Sequence, residues 1–274
     1  SKVIEKAEQV TDRPHFIKVD TLIAWPTPGK TNDPSSHGSA LGDEAVAGLK
    51  KALGLDPTKT FEVDEEALAH ARKVADRGLE AHKEWDDAFE KWADANPDKA
   101  ALYNRIKNGE LPEEFDKAID DLEAGFEAGS KVATRKASGA VINAIAPIMP
   151  ELWGGSADLG GSNNTNIKGA ASFAPAEDAT TQWPDCSPYG RQLHFGVREF
   201  AMGCITNGIL LGSDTRPFSG TFFQFADYMR AAVRLSALME IPNLYIWSHD
   251  SVALGEDGPT HQPIEHLSSF RDIP

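Results

Sequence analysis

Short apolar runs alternate with helical stretches along much of the chain. The clearest run is Leu244-Tyr245-Ile246-Trp247, whose aromatic and branched residues predict a buried strand. Three further segments have a similar character and predict strands, at 15–25, at 151–155 and from Leu193 onward. Strands that alternate with helices favour a parallel sheet with right-handed crossovers. The predicted fold class is therefore α/β, a mostly parallel sheet flanked by helices.

Helical spacing of apolar residues predicts the other elements. Helices are expected at the N-terminus to about Thr11, over 43–53 with Gly54 as the cap, within 130–150, after Gly196, over 221–238 and from about Thr260. Residues 64–129 are strongly acidic and predict antiparallel helices that join two α/β units. Their charge runs are typical of solvated helix faces.

Composition narrows the function classes. The formal net charge of -15 argues against binding to nucleic acid or to anionic membranes, because like charges repel. Only two cysteines occur, with no paired-cysteine motif, which favours a reducing, cytoplasmic setting. No apolar run approaches the ~20 residues of a membrane span, and the polar start is unlike a signal peptide. The chain lacks an initiator Met and starts within a predicted helix, so we expect a piece of a longer protein.

The segment after Trp247 is the first candidate site. Ser248-His249-Asp250-Ser251 follows the strand directly, and a glycine-rich acidic loop leads to Thr260-His261. Ligands bind at the carboxyl ends of strands in open α/β sheets. Two histidines with acids there suit polyol binding, proton transfer or a metal. A plain surface loop is the alternative.

Several other candidates can also be explained by ordinary structural roles. His37 lies in a loop poor in apolar residues, and Glu199 lies in a first helical turn, where N-terminal capping explains a carboxylate equally well. The aromatic stripe Phe222, Phe225 and Tyr228 is more often core than cofactor site. Arg135 belongs to the basic concentration in an acidic neighbourhood.

Several blocks nevertheless resemble transketolases, the thiamine diphosphate enzymes of ketol transfer. These are HFGVREFAMG, GTFFQFADYMRAAVRLSALM and HDSVALGEDGPTHQPIEHL, with SSHGSALG, ATRKAS and GGSADLGGSN in the family order. The resemblance runs from about residue 15 to residue 274. Small departures occur at Gly161, where many relatives carry Pro, at Ser248, where Thr is usual, and at Val252-Ala253 in place of Ile-Gly.

The resemblance implies a domain organisation. Residues 1–64 would be the tail of the domain that binds the cofactor diphosphate, 65–129 a helical linker, and 130–274 a pyrimidine-binding domain that is incomplete at its C-terminal end. The family's Gly-Asp-Gly motif for the diphosphate and Mg²⁺ (or Ca²⁺) is not found, so no metal ligand is expected within this chain. A homodimer with active sites between subunits is also implied.

The resemblance also implies roles for individual residues. Glu199 would hydrogen-bond the aminopyrimidine of thiamine diphosphate, over an aromatic bed of Phe222, Phe225 and Tyr228, with Asp158 near the cofactor. A carboxyl there serves proton sharing with the ring nitrogen. His37 would contact both cofactor and substrate.

For the sugar phosphate, Arg135 and Ser162 match phosphate-binding residues, which suits a guanidinium and a hydroxyl. His249, Asp257 and His261 match groups that bind the donor hydroxyls, and the histidines assist proton transfer. The implied reaction transfers a two-carbon unit from a ketose phosphate such as xylulose 5-phosphate to an aldose phosphate such as ribose 5-phosphate or erythrose 4-phosphate.

Three alternatives stay open. One is another thiamine diphosphate enzyme, such as a deoxyxylulose phosphate synthase or a dehydrogenase E1 subunit. Another is a metal-dependent hydrolase built on the acidic and histidine side chains His249, Asp250, Glu256, Asp257 and His261. The last is a non-catalytic fragment or split subunit, and we expect the isolated chain to be inactive.

Overall fold

The structure, a computed structural model, describes residues 2–274. The chain divides into two compact units between Ala88 and Phe89. The first unit contains α1 (Lys2–Glu8), a short 3-10 helix (Pro34–His37), α2 (Asp43–Ala52) and most of α3 (Glu65–Ala95). The helix predicted over 43–53 is confirmed, and Gly54 follows it with φ 75°, the left-handed conformation typical after a helix end.

The strand predicted at 15–25 is wrong. Residues 15–20 make no ladder, and none of the described residues of the first unit forms a strand. Phe16 is 93% exposed and Val19 is 72% exposed. Backbone turns then form at Leu22–Trp25 and Ala24–Thr27. High strand propensity is insufficient here because a strand needs a neighbour for its backbone hydrogen bonds.

The second unit is built on a six-stranded sheet. The strands are β1 (Leu152–Ser156), β2 (Ser172–Phe173), β3 (Cys186–Ser187), β4 (Gln192–His194), β5 (Arg216–Phe222) and β6 (Leu244–Ser248). Their order is β3-β2-β4-β1-β5-β6, and every pair is parallel. The predicted parallel α/β sheet is confirmed. β6 lies at its edge and is half-buried, less enclosed than its composition predicts.

Helices flank this sheet. They are α4 (Pro97–Lys107), α5 (Phe115–Ala124), α6 (Thr134–Ile145), α7 (Gly160–Asn163), α8 (Glu199–Gly212), α9 (Arg230–Leu238) and α10 (His266–Arg271). No helix in the described part of the chain is both long and apolar enough to cross a membrane.

Two apolar clusters join the helices to the sheet. In one, Ile142 of α6 packs with Leu152 of β1 and Phe218 of β5. In the other, Met202 of α8 packs with Leu193 of β4. Burial of such side chains stabilises by about 1.5–3 kcal/mol each, so these clusters hold the helices that carry the candidate site against the strands.

The helix predicted over 221–238 is partly wrong. Thr221 and Phe222 are the last residues of β5, residues Phe223–Met229 form a 3-10 helix, and only Arg230–Leu238 is α-helical. β5 lies between β1 and β6, and this pairing overrides the local helical pattern. The three-residue aromatic repeat fits the 3-10 helix, which has three residues per turn.

The helix predicted from about Thr260 is also displaced. A 3-10 turn covers Pro259–His261, and α10 begins only at His266. Pro263 lies between them, and a proline interrupts the backbone hydrogen bonds of a helix and restricts the residue before it.

Candidate functional site at the carboxyl edge of the sheet

The candidate residues of the second unit follow strands that end at one edge of the sheet. In the register, Ser156 at the end of β1 pairs with His194 at the end of β4, and Phe222 at the end of β5 pairs with Ser248 at the end of β6. Loops and helices after these ends carry the predicted site residues. This edge is where parallel α/β sheets bind ligands.

Aromatic rings and histidines form one cluster after β5 and β6. The ring of His249 stacks on Phe222, with centroids 3.6 Å apart, and His261 approaches Phe225 edge-on at 5.1 Å. Phe222 and Phe225 are 5.9 Å apart, and Phe225 and Tyr228 are 6.3 Å apart. The structure therefore brings the predicted aromatic bed and both predicted donor-binding histidines together.

Arg135 completes this cluster. Its Nη1 donates to Nε2 of His249, although the two residues are 114 positions apart in the chain. Burial, first, and the neighbouring Arg135 guanidinium, second, hold the pKa of His249 below its usual value, while Asp257 and Asp250 oppose them. The imidazole is accordingly favoured in its neutral form. Asp257, predicted to bind the donor, acts electrostatically on this histidine.

The backbone of His249 is unusual. Its φ is 53°, in the left-handed region that residues other than glycine seldom adopt. Such a conformation costs of order 1–3 kcal/mol and clusters at functional sites. The turn at the end of β6 therefore directs the His249 ring toward Phe222 and Arg135 at an energetic cost.

Glu199 occupies the predicted helix start. It is the first residue of α8 and is 8% exposed. Gly196, with φ 66°, makes the turn between β4 and α8, and Nε of Arg198 donates to the carbonyl of Phe195 at 2.7 Å. A carboxylate at a helix N-terminus is favoured by the helix dipole. α8 packs against β5 and against the 3-10 helix Phe223–Met229.

Asp158 lines a second cleft at the same edge. This cleft, of about 320 Å³, also includes His194 and Trp183, whose rings stack at 3.9 Å. Burial lowers the pKa of His194, and the Asp158 carboxylate opposes that shift. Asp158 itself is exposed and has φ 60°. His194 and Trp183 were not singled out from the sequence: His194 opens the HFGVREFAMG block without an assigned role, and Trp183 lies in none of the family blocks.

Two predicted residues have less defined surroundings. Ser162 is exposed on the one-turn helix α7, and α7 contacts α6, the helix of Arg135. His37 is exposed at the end of the 3-10 helix Pro34–His37, within the first unit. Their roles stay predictions.

Buried polar residues beneath the site were missed from the sequence. Asn163 is fully buried and accepts from Ser248 Oγ at 2.5 Å, while its Nδ2 donates to Ser156 Oγ at 3.0 Å. The signal available was the run of hydroxyl and amide side chains after β1. Such a run is also typical of an exposed loop, so burial was needed to identify it.

The competing metal hypothesis is not favoured. Nε2 of His249 faces a guanidinium, which repels a cation. Among residues 2–274, the ligand atoms that lie within 4.8 Å of one another belong to Asp227, Glu265 and His266 instead. Asp227 accepts from Arg230 at 2.9 Å, and Nε2 of the buried His266 lies 3.1 Å from both Asp227 and the carbonyl of Gln224, so Asp227 and this nitrogen already have partners within the protein.

Comparisons with known proteins identify the family. The profile described as "Transketolase, pyrimidine binding domain" matches residues 130–274, and "Transketolase, thiamine diphosphate binding domain" matches residues 1–112. A transketolase from Mycobacterium tuberculosis is 53% identical over 273 residues, and one from Geobacillus stearothermophilus is 42% identical over 275 residues. All of this chain is covered in both matches, but only 38% and 39% of those relatives.

A solved structure extends the match to the fold. The crystal structure of the Pichia stipitis transketolase in complex with sedoheptulose 7-phosphate has a TM-score of 0.86 and 38% identity, covering 100% of this chain and 39% of that one. The chain thus spans well under half the length of these relatives. The matched residues include the whole sheet and its carboxyl edge, and they show that the chain belongs to the transketolase family.

Proposed function

We propose that these residues form the aminopyrimidine and donor-sugar side of a transketolase active site. The reaction is transfer of a two-carbon ketol unit from a ketose phosphate, such as xylulose 5-phosphate, to an aldose phosphate, such as ribose 5-phosphate or erythrose 4-phosphate. One observation carries the proposal: His249 contacts Arg135 and stacks on Phe222, so candidate groups for donor, phosphate and cofactor meet at one sheet edge.

The aromatic surface suits the ring of thiamine diphosphate. Tyr228 is 69% exposed and Phe225 is half-buried beside the buried Phe222, which leaves apolar ring surface available to a flat ligand. When bound, the cofactor supplies a nucleophilic carbon for the donor carbonyl. Glu199 would hold a proton at the pyrimidine ring, and Asp158 and His37 would contact the cofactor.

The donor would lie against the cationic and histidine side of the cluster. Arg135 and Ser162 would bind its phosphate, since a guanidinium presents a fork of donors to phosphate oxygens. Neutral His249, whose Nε2 accepts from Arg135, would lie beside the donor hydroxyls, and His261 and Asp257 would contact neighbouring hydroxyls. His37 would touch donor and cofactor together.

The remaining parts of the site would come from elsewhere. We expect the ligands of Mg²⁺ (or Ca²⁺) outside this chain, a homodimer with shared active sites, and domain limits at 64 and 129. Two cysteines without a disulfide framework support a cytoplasmic setting. The sugar phosphates of the proposed reaction would place the enzyme in the pentose phosphate pathway. These residues alone would be inactive.

A donor panel tests the proposal. The full-length protein, with thiamine diphosphate and Mg²⁺, should transfer the ketol unit of xylulose 5-phosphate to ribose 5-phosphate. Condensation of pyruvate with an aldehyde phosphate, without ketol transfer, would instead assign a deoxyxylulose phosphate synthase-like enzyme and contradict the proposal.

A further inference from the structure

A buried chain of hydrogen bonds leads from the sheet interior to His249. Ser156 Oγ and Thr165 Oγ1 are 2.7 Å apart, Asn163 Nδ2 donates to Ser156 Oγ, Ser248 Oγ donates to Asn163 Oδ1, and Ser248 Oγ lies 2.7 Å from His249 Nδ1. The other four residues that form these hydrogen bonds with His249 are between 0% and 5% exposed: Ser156, Asn163, Thr165 and Ser248. Water therefore has little access to replace any of these partners.

The contact with Arg135 fixes the direction of the bonds that run from His249 through Ser248 to Asn163. A guanidinium has only donors, so Nε2 of His249 must accept, and the single proton of the neutral ring lies on Nδ1. Nδ1 then donates to Ser248 Oγ, whose own proton goes to Asn163 Oδ1. Asn163 is left with its amide protons, one of which Ser156 accepts.

The other tautomer of His249, with its proton on Nε2, is disfavoured. A proton on Nε2 would face the donors of Arg135, and Nδ1 would then have to accept from Ser248. Ser248 could then no longer donate to Asn163 Oδ1, and the Asn163 amide would have to rotate by about 180° so that its Nδ2 faced Ser248. With the amide turned over, only Nε2 and the Arg135 guanidinium would face each other as two donors, so this contact selects the tautomer and the buried bonds follow it as a unit.

We propose that Asn163 and Ser248 are positioning residues that hold the His249 ring with Nδ1 protonated and the Nε2 lone pair directed to Arg135, on the side where the donor would bind. The inference rests on the proposed donor-binding role of His249. It adds that buried hydrogen bonds set the orientation and the tautomer of its ring. The two residues act through His249 and need no contact with substrate. Ser156 belongs to β1, Asn163 to α7 and Ser248 to β6. The tautomer of His249 therefore depends on how these three elements pack at the sheet edge.

A matched pair of variants isolates the hydroxyl. Ser248→Val and Ser248→Thr have the same shape, but only threonine can accept from Nδ1 and donate to Asn163. In the full-length protein, Ser248→Thr should keep its kcat/KM for xylulose 5-phosphate within about twofold, and Ser248→Val should lose about tenfold, the scale of one hydrogen bond. Equal values for the two variants would overturn the proposal.

The same pair in a His249→Ala background separates positioning from general structure. If Ser248 acts through His249, Ser248→Val should cost almost nothing further in that background. A second full tenfold loss there would mean that the hydroxyl acts on the fold and would overturn the proposal.

Histidine ¹⁵N spectroscopy reads the tautomer without turnover. The His249 signals of the full-length protein are those missing from His249→Gln. Near neutral pH they should report a protonated Nδ1 and an unprotonated Nε2, and Ser248→Val should give a mixture. A protonated Nε2 in the wild type would overturn the inference. The expected tautomer in a protein without ketol transfer would contradict the proposed function while supporting the positioning role.

Discussion

His249 stacks on Phe222 with ring centroids 3.6 Å apart and an interplanar angle of 26°. Phe222 is the last residue of β5, and His249 directly follows the end of β6. The two strands are parallel neighbours, and Phe222 pairs in register with Ser248. The candidate donor-binding histidine therefore shares a contact with the candidate cofactor bed. A change at either ring should affect both donor binding and cofactor binding.

Glu199→Gln tests the carboxylate at the start of α8. Loss of the acid should lower kcat of the full-length protein by about 10²-fold or more, because it removes a group that holds or moves a proton. Glutamine keeps the shape of the side chain and loses only the interaction of its charge with the helix dipole, about 0.3–1 kcal/mol, so the thermal midpoint should change little. Glu177→Gln, at an exposed acid, is the control. Turnover near that of the wild type would remove the proposed role.

Arg135→Lys tests phosphate recognition. Lysine keeps the charge but lacks the planar fork of donors, so KM for xylulose 5-phosphate should rise about tenfold with a smaller change in kcat. The adjacent exposed Lys136 offers a matched control as Lys136→Ala. Steady-state kinetics with a ketose lacking phosphate provides the comparison, and an equal penalty with that donor would argue against phosphate binding.

Acid should weaken the fold partly through His249. Its pKa is lowered by burial and by Arg135, against Asp257 and Asp250, with His261 lowering it further. The unfolded chain then binds more protons than the folded chain, so this contribution to stability is present above pH 6.5, the ordinary value, and is lost as pH falls through the lower folded pKa. Urea unfolding at about pH 7.5 and about pH 5.5 measures it. His249→Gln should reduce the difference; an unchanged difference would contradict the assignment.

Arg105→Met should destabilise the second unit. Nη1 and Nη2 of Arg105 donate to the two carboxylate oxygens of Glu151, at 2.8 and 2.9 Å, and the Glu151 side chain is only 1% exposed. Removing the cation leaves a buried carboxylate unpaired, which costs about 3–5 kcal/mol. Lys107→Met breaks the exposed pair with Asp214 and should cost under about 1 kcal/mol. Denaturant unfolding measures the free energy of unfolding of both variants. Equal losses would contradict the buried position of the Arg105–Glu151 pair.

Local pattern was sufficient for some elements and insufficient for others. β6 and the turn into α8 were predictable because apolar composition and glycine act within a few residues. The end of β5 at Phe222 was not, because its strand state depends on β1 and β6 on either side. The strand prediction for 15–25 was wrong for the converse reason: its composition is typical of a strand, but no other strand pairs with it.

The site divides in the same way. The family blocks pointed to Glu199, Arg135 and His249 because their polar groups stand in distinctive sequence contexts. The support beneath them could not be predicted, because Asn163 and Ser248 are 85 residues apart and meet only through the sheet. Pairing over that distance leaves no periodic trace in the sequence.

Cofactor-dependent ketol transfer is the decisive assay of the proposed function. The assay combines xylulose 5-phosphate and ribose 5-phosphate with the full-length protein and, separately, with the 274-residue chain, each with and without thiamine diphosphate and Mg²⁺. We predict turnover by the full-length protein only when the cofactor is present, and none by the 274-residue chain. Turnover without thiamine diphosphate, or no turnover by the full-length protein, would contradict the account.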